Sequence, residues 1–304
     1  MPEKAERVPF QWLRNLVTVS RAVFWFLLLA LVFQLLWNPY RTDSARAKTL
    51  DRLQQERKSR AIAMIHREDS VSLFGVSLRR SISIEDSEAI LRAIRLTPPE
   101  QPIDLILHTP GGLVLAAEQI ARALLDRKGS VTVFVPHYAM SGGTLIALAA
   151  DKIVMDPNAV LGPVDPQIGA FPAVSILNAV AGKPRARVND ETLILADIAT
   201  KARAQVAGFL TEILLKHQPK AKAVALATLL SEGRWTHDYP ITAQAARELG
   251  LPVSTDLPPL VHELMDLYPQ GRTGKPSVLY VPFAPAPAQQ ERPTHGSPAA
   301  VPGS

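Results

Sequence analysis

The chain has 304 residues, of which 47% are hydrophobic and 20% charged, and it contains 26 prolines and no cysteine. This length allows one or two domains with a sizeable buried core. The absence of cysteine excludes a disulfide scaffold, a zinc–thiolate site, an iron–sulfur cluster and a cysteine nucleophile.

The excess positive charge lies at the N-terminal end of the chain. The formal net charge of +5 would by itself be compatible with nucleic acid or a membrane surface as a partner. Residues 1–60 contain 11 Lys or Arg and 5 Asp or Glu, whereas residues 61–304 contain 22 and 23. Since the larger part of the chain is nearly neutral, we expect no nucleic-acid partner.

An apolar segment follows the first basic residues. From Ala22 to Trp37 the only polar side chain is that of Gln34, and the next three residues extend the segment to bilayer-spanning length, about 20 residues. A cleaved signal peptide is the main alternative, but the small residues Ala45 and Ala47 lie too far beyond the apolar run. The sequence therefore predicts an uncleaved, single-pass transmembrane anchor over residues 1–40.

Basic residues flank this segment unequally, with four before it and seven between Arg41 and Arg60. By the positive-inside rule, the C-terminal body is expected in the cytoplasm. Residues 41–60 are predicted to form a basic, solvated helical stalk with incidental contacts to membrane lipid.

The body of the chain, residues 61–270, alternates between strand and helix patterns. This alternation is typical of parallel β-α-β units and predicts an α/β domain. The last segment, residues 282–304, has six prolines among alanine and small polar residues, and it is predicted to be disordered. The predicted strands are Ala61–His66, Ile103–His108, Val131–Pro136 and Lys152–Met155, and the predicted helices are 83–95, 113–127, 144–150, 197–217, 221–231 and 242–249.

Two glycine turns follow predicted strands, where ligands bind in parallel sheets. In the first, Pro110 precedes Gly111 and Gly112, whose backbone freedom allows a substrate to approach closely. In the second, Ser141 stands before Gly142, so that its hydroxyl could act as a nucleophile beside an oxyanion-binding amide. Each turn alone is more often structural, and a serine before a helix is more often an N-cap. Together, one β-α-β unit apart, they indicate a site.

These segments resemble a known family. The residues Ile84–Glu88, HTPGG at 108–112 and MSGGTLIALAADKIVMDPNAVLGPVDPQ at 140–167 are similar to the serine dehydrogenase proteinase family of the Clp protease/crotonase superfamily. The resemblance extends to signal peptide peptidase A and to NfeD-type membrane proteases, and covers roughly residues 60–255. It implies a superhelix of β-α-β units, peptide hydrolysis through an acyl-enzyme, Ser141 as nucleophile, and an oxyanion hole formed by Gly111, Gly112 and Gly142.

A serine nucleophile needs a base that accepts its proton. Soluble Clp proteases have a histidine about 25 residues after the serine, but here that neighbourhood, residues 161–166, contains Asp165 and no histidine. The membrane relatives use a lysine, whose pKa burial can lower toward neutrality. Lys201 matches the lysine of NfeD-type proteases in its placement and is the predicted base; Lys183 is the second candidate.

Other candidate groups have simpler explanations. His108 and His137 could act as the base, but each is more often a packed or hydrated residue at a strand end. Asp165 could orient a site group, although an Asp-Pro turn also explains it. No cofactor or metal is expected, because neither metal-ligand spacing nor a phosphate loop is found.

The resulting hypothesis is a membrane-anchored serine endopeptidase with a Ser141–Lys201 dyad, acting on a peptide or membrane-protein substrate. Relatives assemble into rings or smaller oligomers, so a homo-oligomer is expected. Two alternatives remain open: a crotonase-like acyl-CoA enzyme, in which the same amides bind a thioester enolate, and a non-catalytic membrane scaffold of the same fold.

Overall fold

The structure, a computed structural model, describes residues 11–66, 71–73, 76–78 and 81–269. The chain divides into two units, Met1–Gly271 and Arg272–Ser304, and every described residue belongs to the first. The tail predicted over 282–304 lies outside the described residues.

The described helices and strands alternate along the chain after one long N-terminal helix. The helices are α1 (Gln11–Arg57), α2 (Ile84–Arg95), α3 (Val114–Leu125), α4 (Gly142–Leu148), α5 (Ala173–Ala181), α6 (Asp190–Leu214), α7 (Lys220–Ser231), α8 (Ala243–Glu248) and α9 (Pro259–Asp266), with a 3₁₀ turn at Arg185–Arg187. The strands are β1 (Arg60–Ile65), β2 (Val71–Leu73), β3 (Val76–Leu78), β4 (Ile103–His108), β5 (Val131–Val135), β6 (Tyr138–Ala139), β7 (Lys152–Met155), β8 (Val160–Leu161), β9 (Gln167–Ile168), β10 (Phe171–Pro172), β11 (Ile241–Thr242) and β12 (Val253–Ser254).

The main sheet has five parallel strands in the order β1-β4-β5-β7-β12. Successive strands are joined through helices, as parallel pairing requires. The α/β architecture predicted from the alternation of strand and helix patterns is therefore confirmed.

Both faces of this sheet are covered, which explains why β4 and β5 read as continuous apolar runs. Alternate residues point to opposite faces: Leu105 and Val133 pack toward α3, α4, α6 and α7, whereas Ile106 and Phe134 pack on the other side. That second side is covered by Leu53 of α1 and by α9, through Leu260, Val261 and Leu264.

Helix α1 combines the predicted anchor and the predicted stalk in one continuous helix. Its window Asn15–Gln34 has a mean hydropathy of 2.3, is long and apolar enough to cross a membrane, and has no residue buried inside the protein. Its C-terminal part is not a solvated stalk: Leu53 is buried, Arg57 donates to Asp104 of β4 at 2.5 Å, and Arg46 donates to the carbonyl of Leu267. These apolar and charged contacts attach this part of α1 to the second face of the main sheet.

Capping residues mark the start of two helices, one at its predicted position and one earlier. Ser83 caps α2 in a capping box with Asp86, as its position before the apolar stripe predicts. Helix α6 begins at Asp190, two turns before the predicted start at Asp197. Asn189 caps it by accepting from the Thr192 amide at 2.9 Å.

A second, smaller sheet holds the turn that contains Ser141. Its strand order is β11-β8-β6, with β6 parallel and β11 antiparallel to β8. This sheet brings the ends of β6 and β8 next to the loop before β11, although the chain separates β8 from β11 by some eighty residues.

Candidate active site

Ser141 occupies a strained backbone conformation at the start of a helix. Its φ is 52° and its ψ is −118°, and it is one of two non-glycine residues with positive φ in the described part of the chain. Such a conformation costs on the order of 1–3 kcal/mol and persists only where the surrounding structure enforces it. Ser141 makes no side-chain capping hydrogen bond to α4. The N-cap interpretation of this serine is therefore not supported, and its hydroxyl is left for another role.

The surrounding bonds hold this turn in place. The Met140 amide donates to the Thr109 carbonyl at 3.0 Å, and the Gly143 amide donates to the Met140 carbonyl at 2.7 Å. Thr144 Oγ1 donates to the Ala139 carbonyl at 2.7 Å and accepts from the Gly162 amide at 3.0 Å. The turn is thus joined to β4 on one side and to β8 on the other.

The Pro-Gly-Gly turn lies directly against the serine. Gly111 and Gly112 have φ values of +100° and +153°, which side chains rarely permit. A Cβ on Gly111 would lie 2.8 Å from Ser141 Cβ, and a Cβ on Gly112 would lie 2.3 Å from the Ile82 nitrogen. Glycine is required at both positions, because a Cβ would clash with neighbouring atoms and because the φ angles are positive.

Two backbone amides near Ser141 are available to bind an oxyanion. Among the described residues, neither the Gly112 nor the Gly142 amide has a hydrogen-bond acceptor. A Cβ placed on Gly142 would lie 3.8 Å from the Gly112 nitrogen, so the two groups are neighbours. The Gly111 amide instead donates to Thr109 Oγ1 at 3.2 Å. Gly111, one of the three glycines expected in the oxyanion hole, therefore packs closely against Ser141. Its amide already has an acceptor in Thr109.

A cavity of about 240 Å³ opens beside Ser141. It is mostly apolar and has a few polar groups in its lining, as is usual for small-molecule and peptide sites. Its walls are formed by Pro110, Gly112, Val114, Ala117, Ser141, Gly142, Leu145, Val164, Asp165, Pro166, Gln167, Val206 and His237.

The lining of this cavity includes a carboxylate–imidazole pair. His237 Nδ1 lies 2.7 Å from Asp165 Oδ1, and Gln167 Nε2 donates to the other carboxylate oxygen at 2.6 Å. The Asp165 side chain is only 3% exposed, whereas that of His237 is 36% exposed. Sequence reasoning considered Asp165 but missed His237. The only signal for it is the pairing of β8 with β11, which no local pattern predicts.

The two predicted lysines lie elsewhere on the chain. Lys201 is on the exposed side of α6, where its Nζ lies 2.5 Å from Asp197 Oδ2 and its side chain is 69% exposed. Lys183 lies in the exposed loop between α5 and the 3₁₀ turn. Neither lines the cavity beside Ser141. The helix brings Val206, not Lys201, to the cavity wall.

The remaining histidine candidates form a stacked group outside the cavity wall. The buried His108 ring lies 5.7 Å from the His137 ring and 4.2 Å from the Tyr138 ring. This agrees with the interpretation of these two residues as packed strand-end histidines. Within the described ranges, no cluster of three or more His, Asp or Glu residues could hold a metal ion.

The strained serine, the paired glycine turn and the parallel sheet are the features expected of a ClpP-like serine hydrolase. Consistent with this class, the chain belongs to the ClpP-like SDH-type serine proteinases, whose family model matches residues 12–295. The resemblance found in the sequence is thereby confirmed. The match to a proteinase family also favours the protease over the acyl-CoA alternative.

The chain is also similar to individual proteins and solved structures. The chain is 52% identical to the uncharacterized protein MJ0137 of Methanocaldococcus jannaschii over 273 residues, which are 90% of this chain and 94% of that protein. It is 40% identical over 82 residues to the "Probable protease SohB" of Haemophilus influenzae, covering 25% of this chain and 23% of SohB. Among solved structures, it is similar to ClpP1 from Listeria monocytogenes, with 14% identity, a TM-score of 0.43, and 68% of this chain and 98% of that chain covered.

Proposed function

We propose that this chain is a membrane-anchored serine endopeptidase in which Ser141 is the nucleophile. The observation that carries the proposal is the strained turn at Ser141 beside two amides, those of Gly112 and Gly142, that have no acceptor among the described residues. Ser141 Oγ attacks the carbonyl carbon of a peptide bond. The two amides then stabilise the negative charge on the carbonyl oxygen, a contribution of about 3 kcal/mol for each donor in comparable sites.

Membrane anchoring is supported by the exposed apolar surface of α1. Large side chains between Val17 and Phe33 are exposed on this helix, and a soluble monomer rarely leaves such a contiguous surface open to water. The distribution of basic residues supports a cytoplasmic protease domain. Carbonate washing and a reporter fused after residue 304 test the anchor and its orientation.

Lys201, the base predicted from the sequence, is a surface residue of the single chain. Within one chain it is exposed, paired with Asp197 and absent from the cavity wall. A base must reach the proton that it accepts, within about 3 Å or through one water. The Ser141–Lys201 dyad therefore stays a prediction, which the Lys201→Ala variant tests.

We also infer that the protease assembles as a homo-oligomer. Ile194 and Ile198 lie one turn apart on α6 with 61% and 42% of their surface exposed, and Leu215 follows the end of the same helix at 49%. Self-association would remove this apolar surface from water. Mass photometry of the detergent-solubilised chain should give more than one copy per particle, and an Ile194→Asp/Ile198→Asp variant should lower that number.

Turnover tests the proposed function. The full chain, purified in detergent, should hydrolyse fluorescein-labelled casein, and Ser141→Ala should remove this activity. Ser175→Ala, which changes an exposed serine on α5, is the matched control and should retain it. Equal hydrolysis by wild type and Ser141→Ala would overturn the proposal, and complete inactivity of the wild type would favour the scaffold alternative.

A further inference from the structure

A buried histidine, His66, lies next to the Pro-Gly-Gly turn without lining the cavity beside Ser141. Its Nδ1 lies 2.7 Å from Thr109 Oγ1, and its Nε2 lies 3.3 Å from Asp86 Oδ2. We propose that His66 is a positioning residue of this protease, which acts through Thr109 to hold the Gly112 amide in the oxyanion hole. This inference rests on the proposed function, since it concerns how the oxyanion hole of that site is kept in place.

The main sheet brings His66 and Thr109 together. Strands β1 and β4 pair in parallel with Ile65 opposite His108, so the residues that follow these two strands lie side by side. The His66 amide donates to the His108 carbonyl at 2.8 Å. Thr109 is fully buried and His66 is 7% exposed, so water does not readily replace either partner in the bond between their side chains.

The groups around His66 determine where its proton lies. Asp86 Oδ2 already accepts from the Ser83 amide at 2.8 Å, and an ionised carboxylate has no proton to donate. His66 therefore donates from Nε2, and its Nδ1 accepts from the Thr109 hydroxyl, a tautomer assigned from this network. Thr109 Oγ1 in turn accepts from the Gly111 amide at 3.2 Å. A chain of hydrogen bonds thus runs from the carboxylate to the Pro-Gly-Gly turn.

A second route joins the same carboxylate to the turn through the backbone before α2. Ser83, which donates to that carboxylate, directly follows Ile82 in the chain. The Ile82 amide donates to the Gly111 carbonyl at 2.7 Å, and the Ile82 carbonyl accepts from the Leu113 amide at 2.9 Å. Ile82 and Gly112 form a parallel bridge between these two bonds. The two routes close a ring of hydrogen bonds around the turn.

The Gly112 amide depends on this ring for its direction. It has no acceptor among the described residues, so only the residues on either side of it fix where its N–H points. Two consecutive glycines have more backbone freedom than any other pair of residues, and an oxyanion donor is effective only when it lies about 3 Å from the charge. A looser Thr109–Gly111 bond would therefore weaken binding of the transition state while leaving the substrate cavity intact.

Thr109 also connects the Pro-Gly-Gly turn to the serine turn. Its amide donates to the Tyr138 carbonyl at 3.2 Å, and its carbonyl accepts from the Met140 amide at 3.0 Å. The side chain that His66 holds therefore belongs to the residue that sets the distance between the two turns. Fixing it positions the oxyanion-binding amide relative to Ser141.

Kinetics of the full chain in detergent test this role. His66→Leu should lower kcat for casein about 10–10²-fold, the effect of displacing a reacting group by about 1 Å. It should leave KM within about threefold, because His66 does not line the cavity. Reaction of Ser141 with a fluorophosphonate should slow by a similar factor, since the phosphoryl oxygen occupies the oxyanion hole.

Two polar variants of His66 separate its two hydrogen bonds. His66→Asn, whose Oδ1 can accept from Thr109 in place of Nδ1, should restore most of the turnover. His66→Gln, whose amide reaches Asp86 instead, should stay slow. His262→Ala is the matched control: His262 is half exposed, lies 3.6 Å from Asp156 in another His–Asp pair, and its variant should retain wild-type turnover.

A double-mutant cycle tests whether His66 acts through Thr109. Thr109→Val should slow turnover at least as much as His66→Leu, because it removes the acceptor of the Gly111 amide. Adding His66→Leu to Thr109→Val should then change kcat by less than about threefold, since both variants break the same chain of bonds. Losses that multiply would overturn the proposal.

The outcomes separate this inference from the proposed function. Full turnover in His66→Leu, with Ser141→Ala inactive, would keep the serine protease and overturn the role of His66. A rise in KM as large as the fall in kcat would overturn it as well. If near-UV circular dichroism shows that His66→Leu is unfolded, the contrast between His66→Asn and His66→Gln decides, and equal rates would overturn the proposal. Full turnover in Ser141→Ala would overturn the proposed function itself.

Discussion

Gly111 and Ser141 are in van der Waals contact across the candidate site, so that a Cβ on Gly111 would lie 2.8 Å from Ser141 Cβ and 2.9 Å from the Met140 carbonyl oxygen. The contact joins the Pro-Gly-Gly turn after β4 to the serine turn after β6. It explains why the two glycine sequences occur together, because the positive φ of Gly111 allows the close approach of the second turn.

Gly111→Ala should therefore abolish turnover. The added methyl group meets Ser141 Cβ and also forces a side chain into the left-handed region, at a cost of about 1–3 kcal/mol from the backbone alone. The measurement is casein hydrolysis together with urea unfolding. Gly208→Ala is the control: no atom lies within 4 Å of a Cβ at this exposed α6 position, so the variant should keep activity and gain up to about 1 kcal/mol. An active Gly111→Ala enzyme would contradict the close packing.

Thr144→Val should weaken the connection between the serine turn and β8. The hydroxyl of Thr144 bonds both Ala139 and Gly162, and valine would leave a buried carbonyl and a buried amide without partners. We expect a loss of about 2–4 kcal/mol in the free energy of unfolding, together with slower acylation of Ser141. Thr144→Ser retains both bonds and should lose less than about half as much. Equal stability of the two variants would show that the hydroxyl does not hold the turn.

Arg57→Ala should loosen the C-terminal part of α1 from the domain. The Asp104 carboxylate is 2% exposed and accepts from Arg57 and Ser59, so removing the arginine leaves a buried charge with one donor. Breaking such a pair costs about 2–4 kcal/mol, since Arg57 itself is partly exposed. Adding Asp104→Asn should recover part of that loss. Arg52→Ala removes an exposed ion pair with Glu263 and should change the unfolding free energy by at most about 1 kcal/mol.

Asp151 should make stability depend on pH below about 4. Burial tends to raise the pKa of this carboxyl, but hydrogen bonds from Lys216 and from the Val131 amide outweigh it and hold the pKa below 3.8. Because the folded-state pKa is the lower one, the stabilisation is present above the unfolded pKa and is lost as the pH falls through the folded pKa. The carboxylate is 43% exposed, which limits the effect to about 1 kcal/mol.

The comparison of wild type with Asp151→Asn checks this pH dependence. Urea midpoints should differ at pH 7 and converge as the pH approaches 2. A difference that stays constant between these pH values would mean that the ionised carboxylate is not the source of the stability.

Local patterns were sufficient for the sheet and for the serine turn. The apolar run of Ile103–His108 and the alternation with helices predict a parallel sheet, and the glycines beside Ser141 predict its turn, because both depend on neighbours in sequence. The Ser83 cap is readable for the same reason.

The features that the sequence did not predict depend on contacts between residues far apart in the chain. His237 meets Asp165 only through pairing of two two-residue strands, which have no recognisable period. Lys201 is the predicted base and lies among small residues, but the orientation of α6 sends its side chain to solvent. The predicted stalk binds the domain because Arg57 finds Asp104 inside β4, a contact 47 residues away.

The central claim is that Ser141 forms the acyl-enzyme, and covalent labelling tests it most directly. The full-length chain is treated with a fluorophosphonate probe, digested, and the modified peptide is identified by mass spectrometry. We predict one adduct on Ser141 and none in Ser141→Ala. An adduct on another residue of the wild type, or labelling that persists in Ser141→Ala, would contradict the account.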